Sequence, residues 1–307
     1  MIQARGLTKQ YGNKTALSDA TFDIKPGCVT GFLGPNGAGK STAMRLMVGL
    51  DRPTSGDVTI AGKPLAEHAA PLTVAGALLD AKGVHPGRSA RSHLSSLAAT
   101  HRIPMRRVDE VLQMTGLYEV AGKRVGGFSL GMGQRLGIAA ALLGNPQVLI
   151  LDEPVNGLDP DGVMWVRELV RTQASEGKTV LLSSHLMSEM AQTADHVIVL
   201  GRGRVIADAP IGELLGSGIS KVRVTSPDAS RLIKELRSSG TTSELSISVE
   251  SDTRILVSGI EAPKIGQLCL NRGIELHELS PVNGTLEDAY LALTRDEVEY
   301  ESGEIAA

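Results

Sequence analysis

The sequence predicts an α/β fold: a largely parallel sheet covered by helices, interrupted by a helical insertion and followed by a small α+β unit. Three observations predict it. From Gln147 onward, short apolar runs alternate with amphipathic stretches of helical length. A glycine-rich turn separates an apolar run from a helical stretch at Gly34. Past residue 218 the order restarts as strand, helix, strand, strand, helix, strand. The 307 residues suit two domains better than one.

Residues 1–60 read as strands and turns leading into one strand-loop-helix unit. There 29–33 is a strand, 34–39 a loop and 40–49 a helix with Met44, Leu46, Met47 and Val48 inward. A further strand covers 58–60 and turns at Ala61-Gly62-Lys63-Pro64. The strand around Gly76-Ala77-Leu78 leads into the insertion, about 81–135, where Arg, His, Ser and Ala recur at helical spacing with breaks at Pro86, Pro104 and Gly116. Strands at 148–151, 179–183 and 196–200 and helices at 161–176 and 186–193 complete a first domain, 1–217. The second domain, 218–295, reads as strand 221–226, helix 228–239, strands 244–250 and 254–258, helix 262–271 and strand 275–279. This βαββαβ order matches the ferredoxin-like pattern. Residues 285–294 read as a capped helix, and 296–307 as an acidic disordered tail.

Composition narrows the function. Apolar residues make up 42 % of the chain and aromatics only 3 %, so the core is built from aliphatic residues and Met, and each aromatic is notable. A net charge of -3 argues against a general nucleic-acid binder. Cys28 and Cys269 lie far apart, in no metal-like spacing, which points to a reduced cytoplasmic protein. The residues from Met1 to Gly6 have no signal-peptide core, and no apolar run approaches the ~20 residues of a membrane helix, so the chain is not expected to cross a membrane by itself.

Two motifs indicate nucleotide hydrolysis. Gly34-Pro35-Asn36-Gly37-Ala38-Gly39-Lys40-Ser41, continued by Thr42, fits the phosphate-binding spacing G-x-x-x-x-G-K-S/T in its required place between strand and helix. Glycines let backbone N–H groups approach phosphate oxygens, and the helix N-terminus adds positive partial charge. Lys40 is the candidate for the β- and γ-phosphates, and Ser41 for Mg²⁺. In the second motif the apolar strand 148–151 ends in Asp152 and Glu153. Ligands gather at the carboxyl ends of such strands, so Asp152 is placed to hold the metal and Glu153 to polarise the attacking water.

A third motif is more specific. Phe128-Ser129-Leu130-Gly131-Met132-Gly133-Gln134-Arg135 precedes the Asp-Glu strand at the mouth of a helix. Here the chain resembles the ABC ATPases, whose signature is Leu-Ser-Gly-Gly-Gln followed two residues later by Arg. Ser129 and Gly131 match; Leu130 replaces the first glycine and Met132 the glutamine. The Ser-Leu-Gly-Met form looks like the exporter subgroup for bacitracin-like and lantibiotic-like peptides and anthracyclines. The resemblance implies a P-loop NTPase of the ABC type and extends over residues 1 to about 215; residues 284–294 resemble the closing segment of these exporters. It gives roles to Asp159 in the D-loop, to His185 as the γ-phosphate switch, and to Tyr11 as the adenine platform, a core role being the competing reading for Tyr11. The family's Q-loop glutamine is Asp80 here, which accepts from metal-bound water and cannot donate as an amide does; the rival reading is a solvated turn residue.

What the resemblance implies is an ATP- and Mg²⁺-dependent engine acting as a homodimer, or with a closely related ATPase subunit. It sits on the cytoplasmic side of the cell membrane through an integral membrane permease and exports a drug, antibiotic peptide or similar amphiphile. In that scheme Ser129 and Gly131 of one protomer meet the nucleotide held by Lys40 and Ser41 of the other. No nucleic-acid partner is expected. The rival readings are a non-transport ABC ATPase acting on ribosomes or nucleic acid, and a weakly active regulatory ATP-binding module. The insertion carries His85, Arg88, Arg91, His93, Arg102, Arg106 and Arg107, which read as a solvated face in preference to a phospholipid contact.

Overall fold

The computed structural model describes residues 1–80, 83–216, 221–238, 245–282 and 285–294. The chain divides into two compact units, which part between Ile211 and Gly212. The expected boundary at 217/218 and the expected tail at 296–307 lie outside the described residues.

The first unit opens with a hairpin of β1 (Ile2–Tyr11) and β2 (Lys14–Ile24), then β3 (Val29–Leu33), α1 (Lys40–Met47) and β4 (Ser55–Ile60). β1 pairs antiparallel with both β2 and β4, which gives a sheet of order β2-β1-β4. After the short α2 (Pro71–Val74) and β5 (Ala75–Leu78) come the insertion helices α3 (Ala90–Thr100) and α4 (Met105–Met114), then α5 (Leu130–Leu142). Pro104 is the N-cap residue of α4, and Gly116, at φ 69°, follows its end. Residue 135 lies inside α5, which runs on to pack against β5 and β6 (Val148–Leu151). The chain continues through α6 (Pro160–Ser175), β7 (Thr179–Ser183), α7 (Met187–Thr193), β8 (His196–Gly201) and β9 (Arg204–Pro210), and the division between the units falls at the start of α8 (Ile211–Gly216).

The main sheet has order β5-β6-β7-β3-β8-β9, parallel except for the antiparallel edge strand β9. Every residue of β3, β6 and β7 is buried, which is why these strands read as unbroken apolar runs. The core is aliphatic with Met44 and Met47, and Phe22 and Phe32 meet edge to face at 5.4 Å. β9 was not anticipated: as an edge strand it mixes Arg204, Asp208 and Pro210 with small apolar residues and lacks a clean alternation.

In the second unit β10 (Lys221–Thr225), α9 (Ala229–Ser238), β11 (Ser246–Val249), β12 (Arg254–Ser258), α10 (Ala262–Arg272) and β13 (Glu278–Val282) form an antiparallel sheet of order β11-β12-β10-β13. This is the ferredoxin-like order, with Val222, Val224, Leu232, Leu236, Ile255, Val257 and Ile265 in its core. The last strand lies three residues beyond the expected 275–279. β13 is an edge strand, which is where a proline such as Pro281, paired opposite Val222, is tolerated. Thr285 caps α11 (Leu286–Thr294): its hydroxyl accepts from the Asp288 N–H at 3.1 Å, and its own N–H donates to the Asp288 carboxylate at 3.1 Å. Among the described residues no helix is long and apolar enough to cross a membrane.

Candidate functional site

A cavity of about 600 Å³ opens at the carboxyl ends of β3 and β6. Its floor is the loop from β3 to α1. Gly39 caps α1 at φ 105°, and a Cβ there would fall 2.6 Å from the Ala16 carbonyl oxygen, so only glycine fits. The first turn of α1 carries no acidic side chain of its own to offset the positive end of its dipole. Asn36, Gly37, Ala38, Gly39, Lys40, Ser41 and Thr42 all line the cavity; Gly34 and Pro35 lie outside its lining. Lys40 Nζ donates to the Gly34 and Pro35 carbonyls at 2.6 and 3.2 Å. Burial pushes its ammonium below the ordinary lysine pKa, and the carboxylates of Glu153 and Asp152 oppose that shift.

Asp152 and Glu153 form the opposite wall. The Asp152 N–H donates to Leu78 O at 2.8 Å, and its carboxylate accepts from Ser183 Oγ at 2.5 Å. Glu153 has φ 50°, a strained value for a glutamate, and the surroundings hold it on every side. Ser183 Oγ accepts from its N–H at 2.9 Å, and Gln134 Nε2 donates to its carbonyl at 2.9 Å. His185 Nδ1 lies 2.7 Å from its carboxylate. Adjacent strands β6 and β7 end at the same level, which is how Ser183 and His185 come to face Glu153.

Asp80 follows β5 and lines the same cavity. So does Tyr11, at the end of β1. Tyr11 is 46 % exposed, which removes the core reading. Its hydroxyl donates to Asp51 at 2.7 Å, and Lys9 Nζ stands 4.8 Å from its ring centre.

The remaining expected residues sit elsewhere. His185 touches Glu153 and is not part of the lining. Ser129 caps α5, its Oγ accepting from the Met132 N–H at 3.2 Å. Asp159 caps α6, accepting from the Gly162 N–H at 3.0 Å. Neither of these two, nor Gly131, lines the cavity of its own chain. Leu130, Gln134, Asn156 and Lys14 do line it and were not among the expected binding residues; Gln134 has no signal beyond falling one helical turn after Leu130.

Ser41, Asp80 and Asp152 bring hard oxygen donors to one cavity beside the phosphate loop, a set that suits Mg²⁺. Among the described residues no group of three His, Cys, Asp or Glu side chains forms a metal cage. Mg²⁺ needs none, because it is usually held by one or two carboxylates together with water and substrate phosphates.

A family profile described as ABC transporter matches residues 17–156, and a domain of unknown function matches 220–287. The bacitracin transport ATP-binding protein BcrA of Bacillus licheniformis is 33 % identical over 95 % of this chain and 97 % of its own. The daunorubicin resistance ATP-binding protein DrrA3 of Streptomyces coeruleorubidus is 33 % identical over 96 % of each chain. Among solved structures, a dimeric ATP-binding cassette in a post-hydrolysis state with ADP and Pi is 25 % identical, with a TM-score of 0.62, over 69 % of this chain and 99 % of that one.

Proposed function

Because the chain belongs to the ABC transporter ATP-binding family, we propose that it powers export of a drug, antibiotic peptide or similar amphiphile through a separate membrane permease. The observation that carries this reading is its end-to-end likeness to ATP-binding proteins of bacitracin transport and daunorubicin resistance. The geometry supports the hydrolytic half. Glu153 is held over the cavity by Ser183, Gln134 and His185, in place to polarise a water against the γ-phosphate. Lys40 and the N–H groups of the loop would bind the phosphates, and Ser41, Asp80 and Asp152, which line the same cavity, would hold the metal. Mg²⁺ bound there would neutralise charge on the phosphates.

Ser129, Gly131 and Asp159 lie off the cavity of their own chain, which supports a role toward the nucleotide of a second copy or a close relative. Two such sites between paired subunits close on ATP and reopen after hydrolysis, and the permease follows that cycle on the cytoplasmic side of the membrane.

Tyr11→Ala is expected to raise the KM for ATP about two- to tenfold, the worth of a stacked ring. Tyr11→Phe keeps the ring and is expected to stay near the parent. Steady-state ATPase kinetics separate the two, and an equal loss in both variants assigns the effect to the Asp51 hydrogen bond instead.

The proposal is tested by affinity purification of tagged Glu153→Gln protein from detergent-solubilised membranes with ATP and Mg²⁺. Co-purification of a chain with hydrophobic spans of ~20 residues each is the expected result. Recovery only from the soluble fraction, with ribosomes or alone, overturns it.

A further inference from the structure

Two leucines interdigitate with two glycines beside the nucleotide cavity. Gly157 has φ 74°, and a Cβ built on it would fall 2.2 Å from Leu130 Cδ2 and 2.4 Å from Leu130 Cγ. The Leu130 side chain therefore occupies the space that a side chain at 157 would need. In the reverse sense, a Cβ built on Gly131 would fall 3.0 Å from Gly157 O and 3.4 Å from Leu158 Cδ2. The pair Leu130-Gly131 thus meets the pair Gly157-Leu158 with bulk against hollow on both sides.

A second contact lies one turn along α5. Gln134, four residues after Leu130 and on the same helix face, donates to the Glu153 carbonyl at 2.9 Å. Leu130 and Gln134 both line the cavity. Helix α5 is fastened at these two points to the segment that begins at Glu153 and ends at Leu158, all within one chain.

We propose that Leu130 is a positioning residue: seated on Gly157, it latches the signature turn to the loop that carries Glu153, so that the two move as one body. The proposal rests on the dimer reading above, in which the signature turn addresses the partner's nucleotide. Its consequence is that a change at Glu153 of one protomer reaches the signature turn of the same protomer directly. A glycine at position 130, the residue of the general family pattern, makes no such contact.

The test is a double-mutant cycle on ATP turnover. Gly157→Ala alone is expected to lower kcat about tenfold or more, and in a Leu130→Gly background about threefold or less, because the collision is gone and only the left-handed backbone cost remains. Leu130→Gly by itself is expected to lower kcat about three- to tenfold with KM for ATP within about twofold, while Leu130→Met, which refills the space, keeps kcat near the parent. Leu130 is 55 % exposed, so its variants fold even where Gly157→Ala does not, and the Gly and Met pair then decides. The same Gly157→Ala factor in both backgrounds, or a Leu130→Gly protein as fast as the parent, overturns the latch. ATP-driven dimerisation of Glu153→Gln is measured beside the cycle. If that protein stays monomeric, the dimer reading fails and the turnover cycle alone judges the latch; if it dimerises and the cycle is additive, the latch alone fails.

Discussion

Glu153→Gln is expected to lower ATP turnover by about 10³-fold while leaving ATP binding intact, as for loss of a positioned general base. The substitution is close to isosteric, and the environment of residue 153 survives it. The backbone stays at its strained φ because Ser183 holds the N–H and Gln134 the carbonyl, and both contacts are independent of the side chain. The His185 Nδ1 contact at 2.7 Å can pass to an amide oxygen. What disappears is the negative charge that draws a proton from water. The expected signature is a fall in kcat at nearly constant KM, together with an ATP-bound dimer on size exclusion with ATP and Mg²⁺. Phosphate release and elution volume measure the two effects. A loss of less than about tenfold would assign the base to another group.

The parts of this site that lie contiguous in the chain were legible in the sequence. The phosphate loop is one segment whose glycines, lysine and flanking strand and helix each have a local physical reason, and the Asp152-Glu153 pair is announced by the buried strand before it. Residues whose role depends on strand order were not. Ser183 holds both Asp152 and Glu153 only because β7 lies beside β6, and nothing around residue 183 states that. Gln134 reaches the Glu153 carbonyl because α5 crosses β5 and β6, a tertiary fact. Tyr11 was ambiguous between core and platform, and its exposure at the end of β1 removes the core reading. The fold shows the same division. Strands buried on both faces were placed closely, whereas the edge strands β9 and β13 were missed or shifted, because an edge tolerates polar residues and proline that blur the pattern.

Lys40→Met is expected to weaken ATP binding about 10²-fold near neutral pH, through loss of charge-assisted hydrogen bonds to the phosphates. The lysine itself supplies a sharper test, because its burial gives two pH trends of opposite sign. Burial holds its pKa below the ordinary value, against the pull of Glu153 and Asp152. Only the ammonium form binds phosphate well, so affinity falls as pH rises through that lowered pKa, before an exposed lysine would titrate. Phosphate charge favours the ammonium, so binding in this range takes up a proton, which calorimetry in buffers of different ionisation enthalpy detects. Folding runs the other way. Between the lowered pKa and the unfolded value of about 10.4 the unfolded chain binds more protons than the folded one, so stability rises with pH across that interval. Below the lowered pKa both states are charged and the burial cost is fully present. The expected result is therefore a parent-minus-Lys40→Met difference in melting temperature that rises toward alkaline pH while ATP affinity falls over the same range. Affinity that stays flat until an exposed lysine titrates, with no proton uptake, would mean that burial does not control Lys40, and that its bonds to Gly34 and Pro35 hold the loop in shape without tuning its charge.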